Sequence, residues 1–305
     1  MSLRESLIQA VARVRTSRPE IAAAALGLVR ASALPQGGFP DRAGRPDLYY
    51  TVFGLHVLAS WNDPADTALL AHTGYLQTFG LGESLDFVHT ACLARCWALE
   101  PAGSMPAGLP EAVVRRLEAF RSADGGFSTD AGAAIGTAYA AMLALGAHQD
   151  VGLAVPDTNA LARSLEGLRT GDGFANVPGS SHPAAPATAA AVVTLVELGR
   201  TVPEEVCGWL TLAMEPGGGW LAGQGAPVPD LLSTATALDA LAASGADLER
   251  IRPACLGFVD GLRSEGGGFL AHWLDDMADC EFTFYGLLAL GQLTAGDNDT
   301  TTNRD

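Results

Sequence analysis

The sequence predicts an all-α protein, an (α/α)6 toroid in which six inner and six outer helices form a double barrel. A glycine-rich turn carrying an aromatic residue recurs along the chain. Roughly a dozen residues after each turn, a threonine opens a stretch rich in Ala and Leu. No segment shows the two-residue alternation of apolar and polar side chains that is typical of a strand. Together these observations indicate repeated helix pairs.

The repeat is best recognised from its turn and its threonine. Five turns end in an aromatic residue, and these are Gly37-Gly38-Phe39, Gly125-Gly126-Phe127, Gly171-Asp172-Gly173-Phe174, Gly217-Gly218-Gly219-Trp220 and Gly266-Gly267-Gly268-Phe269. A sixth, degenerate turn is Phe79-Gly80-Leu81-Gly82. The threonines are Thr51, Thr90, Thr137, Thr188, Thr234 and Thr283. They lie 39 to 51 residues apart, so six units account for nearly all 305 residues.

The two helices of each unit differ in composition, and this difference assigns them to two layers. The helix before each turn is amphipathic, as in residues 110–121, and this set carries most of the arginines. The helix after each threonine is apolar nearly all round, as in residues 187–195. A helix that is apolar on every face is buried, so this second set is expected to form the inner ring. A closed ring of six units needs no polar capping repeats.

The predicted domain organisation places almost the whole chain in one toroid. An extra N-terminal helix occupies residues 1–17, and we expect it to pack on the outside of the barrel. The toroid itself covers residues 18–293, and a disordered C-terminal tail covers residues 294–305.

Composition and charge exclude several classes of protein. The net charge of −16 argues against a nucleic-acid partner. The chain contains no lysine, which excludes Schiff-base chemistry and a Walker-type phosphate loop. Its five cysteines include no C-x-x-C pair, so neither a disulfide framework nor a structural zinc knuckle is expected. There is no uncharged apolar run long enough to span a membrane and no signal-peptide pattern, which predicts a cytoplasmic protein.

Four aspartates precede the unit threonines by four positions. They are Asp47, Asp86, Asp230 and Asp279. Asp at this place is typical of a helix N-cap. The repetition favours capping, although it does not exclude chemistry at one or two of these residues. The partial positive charge of the inner-helix N-termini would also favour an anion or a metal-binding carboxylate at that end of the ring.

Helical spacing predicts which inner-helix side chains face the lumen. Positions −2, −1, +2, +5 and +6 relative to each threonine share one face. Units 1 and 6 supply most of the aromatic side chains there and unit 3 supplies one more, and these are Tyr49, Tyr50, Phe53, Tyr139, Phe282 and Tyr285. Units 4 and 5 supply small side chains such as Ala190 and Thr236. An aromatic wall opposite a small-residue wall would leave an elongated apolar cavity for a chain-like ligand. The alternative is a filled core.

Three titratable side chains, His56, Arg95 and Asp239, share position +5. Buried charge is costly unless it is paired. An Arg–Asp pair across the lumen would explain them structurally, and a wet ligand-binding cavity would explain them functionally. The sequence leaves both explanations open.

The repeats resemble those of protein prenyltransferase β subunits, in which Gly-Gly-Phe is followed by Asp-x-x-x-Thr or Ser and an Ala/Leu-rich helix. In that family a basic pair and a Tyr hold the diphosphate, while Asp, Cys and His bind zinc. The resemblance implies that Arg42, Arg45 and Tyr50 hold diphosphate and that Asp47 and His89 are metal ligands. Tyr49 stands where the family has Cys. The motifs occur in the first two units here, whereas the family has them in its last two.

The chain also resembles the class II terpene cyclases, which carry Asp-x-Asp-Asp-Thr at the start of an inner helix. Unit 6 reads Asp279-Cys280-Glu281-Phe282-Thr283. The resemblance implies that Glu281 is the general acid and that Asp279 takes the place of the first Asp. A protonated Glu beside Phe282 and Tyr285 would have a raised pKa through desolvation. The class II enzymes react between two toroids, whereas this chain contains one.

The leading hypothesis is therefore an isoprenoid diphosphate-binding enzyme that resembles a prenyltransferase β subunit. It would have either zinc or no cofactor, and it would act with a partner subunit or as a homodimer. Its substrate-binding residues would be Arg42, Arg45, Tyr49, Tyr50, Phe53, Tyr139, Phe282 and Tyr285. The alternatives are a class II cyclase-like enzyme that uses Glu281 and Asp279, and a non-catalytic binding or scaffold toroid.

Overall fold

The computed structural model describes residues 1–61 and 68–295 and confirms the predicted all-α double barrel. Helix α1 (Leu3–Ser17) precedes the repeats. The outer helices are α2 (Pro19–Ser32), α4 (Ala68–Gln77), α6 (Leu109–Glu118), α8 (Thr158–Glu166), α10 (Glu204–Leu212) and α12 (Arg252–Gly261). The inner helices are α3 (Leu48–Trp61), α5 (Phe87–Leu99), α7 (Ala138–Asp150), α9 (Ala185–Glu197), α11 (Leu231–Ala243) and α13 (Cys280–Leu293).

The inner helices form a closed ring. Each packs against the inner helices before and after it, and α13 packs against α3 to complete the circle. Strand is confined, within the described residues, to two short antiparallel pairs. Strand β1 (Phe39–Pro40) pairs with β2 (Pro46–Asp47), and β3 (Arg169–Thr170) pairs with β4 (Gly173–Phe174). Both pairs belong to the segments that join an outer helix to the next inner helix.

In units 1, 4 and 5 the unit threonine ties the glycine-rich turn to the inner helix. The Thr51 Oγ1 accepts a hydrogen bond from the backbone N–H of Phe39 at 2.9 Å. Thr188 accepts the N–H of Phe174 at 2.9 Å in the same way, and Thr234 accepts that of Trp220 at 3.1 Å. A buried backbone N–H that lacked a partner would be costly, so each hydroxyl stabilises its turn.

The predicted capping role of the four aspartates is confirmed. Each carboxylate accepts the backbone N–H three residues further on, at distances of 2.8 to 3.0 Å. In unit 3, Thr137 takes over this role by accepting the N–H of Ala140. Five inner helices therefore begin three residues before their unit threonine, whereas α7 begins directly after Thr137. The N-termini of the inner helices lie at one end of the barrel.

Glycine inside two inner helices makes room for the aromatic ring of the preceding turn. A Cβ on Gly54 would lie 2.4 Å from the Phe39 ring, and a Cβ on Gly286 would lie 2.4 Å from the Phe269 ring. Both rings are fully buried. These buried rings pack the joining segments against the barrel. The inner helix needs a glycine beneath each ring, because a side chain there would collide with it.

Helix α1 does not lie on the outside of the barrel as expected. It crosses the end where the inner helices finish, packing against α3, α7 and α13 with Ala10, Val11 and Val14 fully buried. At Gly291 of α13 the helices approach so closely that a Cβ would lie 1.9 Å from the Ala10 carbonyl oxygen. The expectation failed because amphipathicity shows that one face of α1 is buried and does not show which surface covers it.

Polar contacts fix α1 over the helix ends. The Leu3 N–H donates to the Gln149 side chain at 2.9 Å, and the Arg4 guanidinium binds Asp150 at 3.1 Å. Arg15 donates to the last carbonyls of α3, and Arg13 donates to the Gly291 carbonyl and the Gln292 side chain. Arginine is favourable at helix C-termini because it satisfies free carbonyls and complements the helix dipole.

The last inner helix, α13, ends at Leu293, and the predicted end of the toroid at residue 293 stays a prediction. Most of the predicted disordered tail, residues 296–305, lies outside the described residues. No helix in the described part of the chain has both the length and the apolarity needed to cross a membrane.

Candidate functional site

A cavity of about 480 Å³ occupies the middle of the inner barrel. Side chains at positions +2 and +5 of the six units line it, and those of unit 3 lie closer to the N-terminal end because α7 begins four residues later relative to its threonine than the other inner helices. Position +2 of the six units contributes Phe53, Cys92, Tyr139, Ala190, Thr236 and Tyr285. Position +5 contributes His56, Arg95, Met142, Val193, Asp239 and Leu288. The volume is within the range of about 300–1,000 Å³ that is typical of small-molecule sites. The lumen is therefore not a filled core.

One side of the cavity is aromatic, as the sequence predicted. The ring centroids of Tyr49 and Phe53 are 5.0 Å apart, and Phe53 lies 5.4 Å from Tyr285. Phe284, which is at position +1 and was not among the positions predicted to face the lumen, lies 5.5 Å from both Phe53 and Tyr285. These rings belong to α3 and α13, so the aromatic wall lies where the last unit meets the first. Tyr139 of α7 also lines the cavity.

The opposite wall, from α9 and α11, consists mainly of small side chains such as Ala187 and Ala190. Two residues predicted to face the lumen, Tyr50 and Phe282, are partly buried but do not line the cavity. Both are at position −1, about 100° around the helix from position −2. The inner helices are rotated so that +1, +2 and +5 face inward in most units, whereas at position −1 the small side chain of Ala187 lines the cavity and the rings of Tyr50 and Phe282 do not.

At the seam between α13 and α3, the prenyltransferase-like residues of unit 1 and the cyclase-like residues of unit 6 come together around Glu281. The Glu281 side chain is buried, and its Oε1 accepts a hydrogen bond of 2.7 Å from the Tyr49 hydroxyl. Burial raises the pKa of Glu281 to about 7, and this outweighs the hydrogen bond from Tyr49, which lowers that pKa. Tyr49 lines the cavity, so this protonatable carboxyl lies at the edge of the aromatic wall.

Arg42 lies at the same seam, but two carboxylates bind its guanidinium. It makes two hydrogen bonds to Asp275, at 2.8 and 3.0 Å, and one to Asp279 at 2.8 Å. Its charge also lies 5.3 Å from the centre of the Phe282 ring. Burial acts to raise the pKa of Asp275, but the bonds from Arg42 prevail and lower it to about 2. An incoming diphosphate would have to compete with both carboxylates for Arg42.

Arg45 is likewise engaged, since its guanidinium binds Asp41 of the same turn at 2.8 Å. Its side chain is 78% exposed, which places it on the surface. Tyr50 is partly buried beside this region. The three residues implied in diphosphate binding thus lie on neighbouring segments at the N-terminal end of the barrel, but both arginines have carboxylate partners.

The two residues implied as zinc ligands also have other partners. Asp47 caps α3, and the Nδ1 of His89 lies 2.9 Å from both oxygens of Asp86. Across residues 1–61 and 68–295, no group of three or more His, Cys, Asp or Glu side chains is arranged to hold a metal ion. Zinc in proteins takes four ligands, so Asp47 and His89 alone do not fit a zinc site. The reaction proposed for this site uses no metal ion.

The closed end of the cavity is polar, and Arg95 there does not pair with Asp239. Its guanidinium instead forms a short ion pair with Asp150, the last residue of α7, which also binds Arg4. Arg95 additionally donates to the His56 Nε2 at 3.2 Å. Asp239 accepts a hydrogen bond of 2.6 Å from the Gln292 amide, and burial raises the pKa of Asp239 to about 6. A buried charge network therefore supports this layer.

The sequence did not predict that three residues of this closed end line the cavity. Leu3 and Leu7 of α1 line the cavity, and Asp150 contributes to its lining as well as to the ion pairs. The i, i+4 spacing of Leu3 and Leu7 is a signal for a buried face. Their role as the floor depends on how α1 crosses the barrel, which the sequence does not reveal.

The fold and its lined cavity define an α/α toroid built for an internal ligand. The prenyltransferase alpha-alpha toroid domain matches the chain over residues 28–92, 92–200 and 187–303, and the chain belongs to this family. Helix α1 precedes the matched residues. No curated protein matches the chain significantly.

Solved structures with the same fold include enzymes of two classes. The type II terpene cyclase MstE from Scytonema is 13% identical with a TM-score of 0.63, covering 90% of this chain and 97% of that one. A variant of MstE solved with its substrate, geranylgeranyl dihydroxybenzoate, is 15% identical with a TM-score of 0.63 over 95% and 98% of the chains. Candida albicans protein geranylgeranyltransferase-I, complexed with GGPP, is 13% identical with a TM-score of 0.63 over 82% and 85%.

Proposed function

We propose that the cavity binds a linear isoprenoid with an uncharged head group and that Glu281 protonates it, as in a type II terpene cyclase. The observation that carries this proposal is the Glu281 carboxyl, buried at the aromatic wall and hydrogen-bonded to Tyr49. A carboxylic acid that stays protonated near neutral pH is what protonation of an alkene requires.

The aromatic wall suits the cation that follows. Protonation transfers the Glu281 proton to a terminal alkene carbon, and the alkene electron pair forms the new C–H bond. The positive charge left on the neighbouring carbon then draws in the next double bond to close a ring. The faces of Tyr49, Phe53 and Tyr285 carry partial negative charge, which stabilises a cation held against them.

Electrostatics favours an uncharged substrate over a diphosphate. Arg42 and Arg45 near the open end of the cavity and Arg95 near its closed end are all bound to carboxylates, and the chain as a whole carries a charge of −16. A diphosphate would meet this negative field, whereas a polyprenol or a prenylated phenol would not. Of the two enzymes described above, the MstE variant binds geranylgeranyl dihydroxybenzoate as its substrate, whereas the geranylgeranyltransferase was solved with GGPP.

The experiment compares linear isoprenoids that differ in their head group. Geranylgeraniol, squalene and geranylgeranyl diphosphate are incubated with wild-type protein and with Glu281→Gln, and the products are analysed by gas chromatography and mass spectrometry. We expect cyclic isomers from an uncharged substrate, and a loss of about 100-fold or more in Glu281→Gln, the usual effect of removing a general acid. Glu265→Gln makes the same chemical change at an exposed site and should retain activity.

Other outcomes would favour the remaining hypotheses. Transfer of a prenyl group from geranylgeranyl diphosphate to a thiol, with bound zinc lost in His89→Ala, would support the prenyltransferase hypothesis and its partner subunit. Tight binding of geranylgeraniol without turnover would support a non-catalytic toroid. Cyclisation that persists at wild-type rate in Glu281→Gln would contradict the proposed role of Glu281. A cytoplasmic location also stays a prediction.

A further inference from the structure

We propose that Asp239, at the closed end of the cavity, accepts the proton that the cyclised cation loses in the last step of the reaction. This inference rests on the proposed cyclase function and extends it from the acid that starts the reaction to the base that ends it. Three features of the structure support it, namely the depth of Asp239, the pairing of its neighbours and its own hydrogen bonds.

Along the barrel axis, Asp239 lies at the opposite end of the cavity from Glu281. Glu281 precedes its unit threonine by two positions, and Asp239 follows its own by five. Because α11 and α13 both begin three residues before their unit threonine, the difference of seven residues corresponds to about 10 Å along the barrel axis. Ring closure moves positive charge along the chain, away from the carbon that was first protonated. A linear isoprenoid protonated beside Glu281 would therefore develop its final cation deeper, toward Asp239.

The other titratable side chains of this layer cannot take a proton. The Arg95 guanidinium is always protonated and is bound by Asp150. Because arginine only donates, the His56 Nε2 facing it at 3.2 Å must be an acceptor, so the neutral ring carries its proton on Nδ1. The Nε2 lone pair is thus occupied. Burial also lowers the pKa of His56 well below its usual value. The remaining lining residues at this depth are Val193 and Leu288, which carry no titratable group.

Asp239 keeps the capacity to accept a proton. Its described hydrogen bond comes from a neutral amide, that of Gln292, and it reaches one oxygen, Oδ1. Arg13, the arginine whose charge acts on Asp239, donates to Gln292 and to the Gly291 carbonyl. Asp239 also lines the cavity. A half-paired carboxylate in a mainly apolar cavity attracts a cation strongly, because an apolar lining screens charge much less than bulk water does.

The step balances without a further reactant. A C–H bond next to the cationic carbon breaks, its electron pair becomes the new C=C bond, and the proton passes to the Asp239 carboxylate. Glu281 has given up one proton and Asp239 has gained one, so the product is an isomer of the substrate. Exchange of both protons with solvent after product release restores the starting state.

The first test follows the products of Asp239→Asn, which keeps a side-chain oxygen for Gln292. We expect the alkene formed by the wild type to fall by about 100-fold, as for the loss of a general base, with the cation captured instead by water as a cyclic alcohol. Asp172→Asn makes the same change at an exposed turn and should leave the products unaltered. An unchanged alkene in Asp239→Asn would overturn the proposal, while its dependence on Glu281 would leave the cyclase function standing.

The second test needs no turnover. N,N-dimethyldodecylamine carries a positive charge at the end of an apolar chain, and 1-dodecanol is its uncharged counterpart. Calorimetric titration should show the amine binding at least ~10-fold more weakly to Asp239→Asn than to the wild type, with little change for the alcohol. Equal amine affinity in both proteins would overturn the proposal. If the amine depends on Asp239 and no isoprenoid is cyclised, the cyclase function and the proton-acceptor role both fall.

Discussion

At the scale of single residues, the hydrogen bond from Tyr49 to Glu281 is the contact that tunes the acid. The Tyr49 hydroxyl donates to the Glu281 carboxyl, and a donor favours the ionised form. Burial acts in the opposite direction and prevails, which is why the pKa of Glu281 rises to about 7. Burial and the Tyr49 hydrogen bond therefore act in opposite directions on the pKa of Glu281, and both arise from residues of the seam between α13 and α3.

Tyr49→Phe should shift the pH dependence of cyclisation. Activity that needs protonated Glu281 falls as the pH rises through its pKa of about 7. Removal of the donor raises that pKa further, so the alkaline limb of the pH profile should move up by about one pH unit. The measurement is the initial rate of cyclisation from pH 5 to pH 9.

Tyr75→Phe serves as the control, because Tyr75 of α4 lies in the outer layer and makes no described contact with Glu281. Its alkaline limb should match that of the wild type. An alkaline limb in Tyr49→Phe that stays in place or moves to lower pH would contradict the assignment of Glu281 as the acid.

At the scale of elements, the glycine-rich turns and the inner helices act as matched parts. The turn supplies a buried aromatic ring, and the helix supplies a small residue three positions after its threonine, which in units 1, 4 and 5 also binds the turn. The residue at this position is Gly54 in unit 1, Gly286 in unit 6, and Ala191 and Ala237 in units 4 and 5. In unit 2, whose turn lacks the terminal aromatic residue, it is Leu93. Sequence variation in one element thus follows variation in the other.

Gly54→Ala should destabilise the protein although alanine favours helices. A Cβ on Gly54 would lie 2.4 Å from the Phe39 ring, so either the ring or α3 must move. We expect the free energy of unfolding to fall by about 1–3 kcal/mol, the usual cost of overpacking. Gly27→Ala is the matched control, because nothing lies within 4 Å of a Cβ there, and it should gain up to about 1 kcal/mol.

Chemical denaturation of the two alanine variants measures both effects. If Gly54→Ala proves as stable as Gly27→Ala, the Phe39 ring does not pack tightly against Gly54, and the proposed match between turn and helix is wrong.

At the scale of the whole molecule, α1 closes one end of the helical barrel. The ring alone would have two open ends, and α1 covers the one where the inner helices finish. Asp150 is central to this closure, because it binds Arg4 of α1 and Arg95 of α5 while its side chain is only 1% exposed. The closure and the polar end of the cavity are thus held by one carboxylate.

Asp150→Asn should therefore weaken the fold and loosen α1. The change leaves the Arg95 charge buried without an opposite charge, which typically costs about 3 kcal/mol. Arg4→Gln leaves the Asp150–Arg95 pair intact at a partly exposed position and should cost less than about 1 kcal/mol. Urea unfolding measures both, and hydrogen exchange should show faster exchange in α1 of Asp150→Asn. Equal stability of the two variants would contradict the central role of Asp150.

The sequence by itself determined the number of units, the assignment of helices to two layers, the capping aspartates and the asymmetry of the lumen. These features depend on short-range periodicity and on contacts within a few residues, so they can be predicted without knowing the packing. The positions +2 and +5 were assigned to the lumen for the same reason. Positions such as Tyr50 were assigned wrongly, because the rotation of a helix about its axis depends on its neighbours.

Only the tertiary structure decided which charges meet and where the cavity ends. Arg42 binds Asp275, more than two hundred residues away in sequence, and Arg95 pairs with Asp150 rather than with Asp239. Helix α1 could have covered any apolar surface, and the structure places it across the barrel end. Ion pairs and closure depend on how distant segments are brought together, and no local pattern records that arrangement. Because Arg95 pairs with Asp150, Asp239 keeps its capacity to accept a proton.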